Sequence, residues 1–169
     1  EFHEVKPTEG KFKCCFRMYL LWLVDFSSTE YAPFADLYER ACQAGSYYSM
    51  RDDEVQSFTA GVTMPSVSIA NAREIGEIDQ PSIRVYGGKR PAVLWNQAFD
   101  VVCRQPFELQ HFPFDHQPLR MELQQNDSIT WDLFDLSVAI VQFKQPVLRL
   151  PDWRMLEPEV VRGSPPHKN

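Results

Sequence analysis

The sequence contains no long hydrophobic run. Its longest apolar stretches, residues 18–24 and 136–143, have the length of a β-strand, whereas a membrane-spanning helix needs about 20 apolar residues. There is also no initiating methionine and no signal-peptide pattern. We therefore expect no transmembrane segment in these residues, and we expect the chain to be either processed or part of a longer protein.

Basic residues and cysteines are both scarce. Lysine and arginine number 17 against 23 acidic residues, so the net charge is −6 and the pI is about 5.2. This balance disfavours binding to a nucleic-acid backbone. The four cysteines include no Cys-x-x-Cys spacing, and Cys14 and Cys15 are adjacent, so that they would point to opposite faces of a strand. The pattern predicts buried or free thiols.

Catalytic and metal-binding motifs are absent as well. The sequence has no Gly-x-Ser-x-Gly, phosphate-binding glycine loop or His-Glu-x-x-His. His111 and Asp115 are four residues apart, but Pro113 lies between them and excludes helical facing, and Asp115 and His116 would diverge on a strand. The acidic residues 52–54 indicate a solvated turn. We therefore predict no enzyme activity, no metal site and no cofactor.

The composition favours a folded, strand-rich protein. Hydrophobic residues make up 44% of the 169 residues and aromatic residues 13%, with 13 prolines, which is typical of a single globular domain. Alternating segments between turn signals predict an all-β sandwich with a loose tail at 162–169. The predicted strands are 12–25, 55–62, 82–86, 91–102, 119–123, 129–133, 136–143 and 147–150.

One segment departs from this β pattern. Phe34, Leu37, Tyr38 and Ala41 recur at helical spacing, and Gly45 follows as a C-terminal stop. The sequence therefore predicts a short helical insertion near residues 33–44. In contrast, residues 75–81 are predicted to be a polar connection, and the glycines at 87–88 indicate a hairpin turn.

The best-determined unit is an aromatic and proline-rich loop between two predicted strands. Pro113 fixes its own φ and donates no N–H, and Phe112 and Phe114 on either side of it need an apolar surface to cover. Asp115 follows directly, and a carboxylate in that position needs hydrogen bonds or a cationic partner. We expect the two phenylalanines to clamp this loop onto the core.

At this loop the sequence resembles a known family. Phe-Pro-Phe-Asp-x-Gln is similar to the signature loop in the extracellular domain of pentameric ligand-gated ion channels, the Cys-loop receptors. The matching residues are Phe112, Pro113, Phe114, Asp115 and Gln117. The two cysteines that bracket this loop in animal members fall on Gln105 and Leu119, so the chain resembles the members that lack the disulfide. The resemblance implies an immunoglobulin-like β-sandwich in which Asp115 helps to couple the domain to a pore.

The resemblance also implies a ligand site between neighbouring subunits, built from aromatic residues on loops. The matching positions in this chain are Asn71, Asn126, and either Arg17 or Met18, depending on where an extra residue before Asp25 lies. Because Ala70 stands where an aromatic residue is expected, a conventional amine site is disfavoured. An acid, a proton or no ligand at all are the alternatives.

Two functions follow from the resemblance. In the first, the chain is the ligand-binding-type domain of a pentameric channel homologue, without its pore, on the extracellular or lumenal side of a membrane. In the second, the sandwich has lost pore and pocket and serves as a structural or assembly subunit of a larger complex, for example an organellar membrane complex. Both imply other protein subunits as partners and no nucleic acid.

Overall fold

The computed structural model describes residues 2–108 and 117–125. These residues form a mostly β structure with a six-stranded antiparallel sheet, a two-stranded sheet and two α-helices. The elements are β1 Phe2–Lys6, β2 Lys11–Leu23, α1 Ala35–Gln43, β3 Tyr47–Ser49, α2 Asp52–Gly61, β4 Val67–Ile69, β5 Ala72–Glu77, β6 Ser82–Tyr86, β7 Ala92–Arg104 and β8 Leu123–Gln125. Short 3-10 turns occupy Pro7–Glu9 and Ala32–Phe34.

The six-stranded sheet is organised around its two longest strands. β2 and β7 pair antiparallel along their whole length, from Lys11 opposite Arg104 to Leu23 opposite Ala92, without a shift in register. The strand order is β1-β2-β7-β6-β3, and β5 adds to the end of β7 that β6 does not reach. In the part of the chain that the structure describes, no helix is long and apolar enough to cross a membrane.

Side chains alternate strictly along β2 and so define two faces of the sheet. The even-numbered residues, such as Phe12 and Trp22, lie on a buried inner face, and the odd-numbered residues lie on an outer face that is most exposed between Arg17 and Leu23. Cys14 and Cys15 therefore point to opposite faces, as predicted. All four cysteines are free, and Cys14 and Cys103 are buried on the inner face.

Two hydrophobic clusters cover the inner face at opposite ends. At one end α1 and α2 pack against the sheet through Leu37, Ala41 and Phe58. At the other end Ile69 of β4, with the partly buried Leu119, packs against the far ends of β2 and β7. The two helices and the β4–β8 pair thus form a second layer over the sheet.

The predicted helix and several predicted strands are confirmed. α1 occupies residues 35–43 inside the predicted 33–44, and it ends before Gly45, whose φ is 74°. β2 and β7 match the predicted strands 12–25 and 91–102 to within two residues, and β6 matches 82–86. The turn at Gly87 and Gly88 joins β6 and β7 into a hairpin, as their sequence indicated.

Two predictions for residues 52–62 are wrong. Residues 55–62 were predicted to be a strand and 52–54 a solvated turn, but together they form α2. Val55 and Phe58 are three residues apart and both buried, which is a helical spacing, because residues three apart on a strand would face opposite sides. The acidic residues lie in the first turn, where carboxylates favour a helix.

Two strand boundaries are also corrected. The predicted polar connection at 75–81 begins inside β5, which is an exposed edge strand. Because most of its residues are exposed, its sequence lacks the alternation of apolar and polar residues that indicates a half-buried strand. The strand predicted at 119–123 starts later, since only Leu123–Gln125 pairs, with β4. The strands predicted beyond residue 125 lie outside the described residues.

Gly87 gives the first testable prediction. A Cβ atom built there would lie 2.8 Å from the backbone nitrogen of Cys42 and 2.9 Å from the carbonyl carbon of Ala41, so α1 can approach the hairpin only because Gly87 has no side chain. Gly87→Ala should destabilise the protein by about 1–3 kcal/mol, as overpacking does. Gly76→Ala is the matched control, because its Cβ would meet only ordinary contacts at 3.6 Å or more. Urea unfolding that gives equal values for both variants would contradict the prediction.

Glu54 joins the two helices to β3 and gives the second prediction. Its carboxylate accepts hydrogen bonds from the Arg51 backbone N–H (2.9 Å), from Tyr48 Oη (2.9 Å) and from Arg40 Nη1 (2.8 Å). Burial alone would raise the pKa of Glu54, but the hydrogen bonds from Arg51 and Tyr48 outweigh it and lower the pKa to about 2.

Because the pKa of Glu54 is depressed in the folded state, its contribution to stability is present above about pH 4.5 and is lost as the pH falls towards 2. We expect Glu54→Gln to cost about 1–3 kcal/mol at pH 7 and to converge with the parent protein near pH 2. Urea titrations between pH 7 and pH 2 measure this difference. Asp53→Asn, at an exposed neighbouring carboxylate, should cost less than Glu54→Gln at pH 7, and a pH-independent loss in Glu54→Gln would overturn the assignment.

Candidate functional site

The described residues place the two ends of the signature loop side by side. Pro106 and Pro118 flank this loop, and the Gln117 side-chain nitrogen donates a hydrogen bond to the carbonyl of Glu108 (2.6 Å) across it. Phe112, Pro113, Phe114 and Asp115 lie outside the described residues, as do His111 and His116. Among the predicted loop residues, Gln117 is the one that the structure describes. Its hydrogen bond joins the two ends of the loop.

A buried amide closes the base of this loop. Gln105 is only 7% exposed; its side chain donates to the carbonyl of Pro118 and accepts from the backbone N–H of Arg120 (2.7 Å). Its own backbone N–H donates to the carbonyl of Gly10 (2.8 Å), in the turn between β1 and β2. One residue thus joins the end of β7, the return segment on both sides of Leu119, and the first turn of the chain.

Asn71 makes a second connection beside the first. Its side-chain nitrogen donates to the carbonyls of Arg104 (3.3 Å) and Arg120 (2.7 Å), and its side-chain oxygen accepts from the backbone N–H of Glu122 (3.0 Å). Its carbonyl also accepts from the N–H of Arg104 (2.8 Å). The side-chain amide of the candidate ligand residue Asn71 is therefore occupied by hydrogen bonds to backbone groups. These bonds position the segment that follows the loop.

Arg17 lies on the outer face of β2 and is fully engaged. Its guanidinium donates to Asn96 Oδ1 (2.8 Å) and forms an ion pair with Asp79. The other oxygen of Asp79 accepts from the backbone N–H of Ala98 (2.8 Å). Hydrogen bonding by Ala98, together with Arg17, lowers the pKa of Asp79. These contacts hold the loop before β6 against the sheet.

Met18 and Asn126 complete the candidate set. Met18 points to the inner face, where it lines a small cavity of about 40 Å³ together with Ile69, Ile75 and Phe99. Because β2 pairs continuously with β7, Arg17 lies on the outer face and Met18 on the inner face. Asn126 lies outside the described residues.

The structure therefore does not gather the described candidate residues into one pocket. Arg17 and Asn71 are held in separate hydrogen-bond networks, and Met18 packs on the opposite side of the sheet from Arg17. Within residues 2–108 and 117–125, no group of three or more His, Cys, Asp or Glu side chains could hold a metal ion.

Sequence reasoning missed the roles of Gln105 and Asp79. In the sequence, Gln105 is only a position where the resembled family has a cysteine. A glutamine at the base of a loop can donate to and accept from backbone groups, and this is the signal that could have indicated its role. Asp79 lies in the connection between β5 and β6, two residues before Pro81, and only the folded structure shows that it pairs with Arg17. No protein-family model matches the chain, and no curated protein matches it in sequence.

Proposed function

We propose that the chain is the ligand-binding-type extracellular domain of a pentameric ligand-gated ion channel homologue that lacks the Cys-loop disulfide. The observation that carries the proposal is the closure of the signature loop by Gln105. Gln105 and Leu119 are the two positions where animal members have their bridging cysteines, and the Gln105 side chain bonds to the backbone on both sides of Leu119.

The hydrogen bonds of Gln105 hold the two ends of the loop together, as a disulfide does in the animal members. A disulfide fixes the two ends of a loop, whereas the buried amide of Gln105 fixes them with one donated and one accepted hydrogen bond. Gln117 and Asn71 add further bonds at the same base. In this proposal, these hydrogen bonds hold the base of the loop that contains Asp115 in a fixed position.

The outer face of the sheet supports assembly into a ring. Tyr19, Leu21 and Leu23 are 61%, 66% and 68% exposed in one row along β2. Leu94 lies opposite Leu21 on β7, which extends the apolar surface across the sheet. A contiguous row of exposed apolar side chains is a feature of protein–protein contacts, and the resemblance implies that the second strand faces a neighbouring subunit.

A second candidate function is a structural or assembly subunit that binds no ligand. It is favoured by Arg17 and Asn71, whose polar groups are already occupied by contacts within the chain. In this alternative the same apolar outer face would contact a different protein.

Native mass spectrometry of the protein purified gently from its source separates the two functions. A fivefold homo- or hetero-oligomer that contains hydrophobic pore segments is the result expected for the channel homologue. A single copy held among unrelated subunits would overturn that proposal and favour the structural subunit. Membrane extraction with mild detergent before the measurement preserves either assembly.

A further inference from the structure

We draw no further inference here: the strongest candidate, the side-chain cluster of His3, Cys15 and Asp100 on the outer face of β1, β2 and β7, in which the Cys15 sulfur lies 3.0 Å from His3 Nε2 and 3.3 Å from Asp100 Oδ1, consists of one thiol and its own hydrogen bonds, and nothing else in the described residues points to a ligand or a reaction partner for it.

Discussion

The double variant Q105C/L119C should form a disulfide spontaneously, and the bond should stabilise this variant by about 3 kcal/mol relative to its reduced form, the value for a closed loop of about 15 residues. Gln105 is buried and Leu119 packs into the hydrophobic cluster next to it. The Gln105 side chain already reaches the backbone on both sides of Leu119. Intact mass spectrometry detects the bond as a loss of two hydrogens, and urea unfolding with and without reductant measures its effect.

Removing the amide without replacing it should have the opposite effect. Gln105→Ala removes a part-buried pair of hydrogen bonds and leaves the carbonyl of Pro118 and the N–H of Arg120 without their side-chain partner, which costs about 1–3 kcal/mol. The reduced form of Q105C/L119C should show a similar loss. Oxidation should then raise its stability above that of the parent protein.

The control for the crosslink is Q105C/R120C. Arg120 is adjacent to Leu119 but exposed, since neighbouring residues of an extended segment point to opposite sides. It should form the bond slowly or not at all. If Q105C/L119C stays reduced in air, or if Q105C/R120C oxidises equally well, the two ends of the loop do not meet as in a Cys-loop receptor, and the strongest support for the proposed function is lost.

The sequence is sufficient for the parts of the fold that depend on local periodicity. The alternation from Phe12 onwards predicts β2, the spacing of Phe34, Leu37 and Ala41 predicts α1, and the double glycine predicts the β6–β7 hairpin. Each of these patterns depends on residues that are close together in the sequence, and contacts with distant residues do not override it. The same reasoning gives the wrong element at 55–62, because Phe58, Ala60 and Val62 alternate as on a strand, whereas the spacing of Val55 and Phe58 is helical.

The candidate site depends on long-range register, which local patterns do not contain. Whether Arg17 is free for a ligand depends on Asp79, some sixty residues later, and whether Asn71 is free depends on the backbone of Arg120 and Glu122. These partners become neighbours only when β2, β5 and β7 align. The resemblance selected Asn71 as a position that matches the family, and the structure shows its amide in a backbone-capping contact.

The substitution L21D/L23D should abolish association of the domain while leaving its folding intact. Both leucines are about two-thirds exposed, so the free energy of unfolding should change by no more than about 0.5 kcal/mol. In an assembled ring each leucine would contribute about 1.5–3 kcal/mol when buried. Their loss weakens the contact at least a hundredfold. Sedimentation velocity over a wide concentration range measures this change.

The comparison with Ile78→Asp makes this result specific to the outer face. Ile78 is 55% exposed but lies in the connection before β6, outside the row of Tyr19, Leu21 and Leu23. If loss of any exposed apolar side chain improves solubility, Ile78→Asp and L21D/L23D will behave alike, and the outer face is then not a specific interface. If only L21D/L23D dissociates the protein, the apolar row on β2 is the contact between subunits.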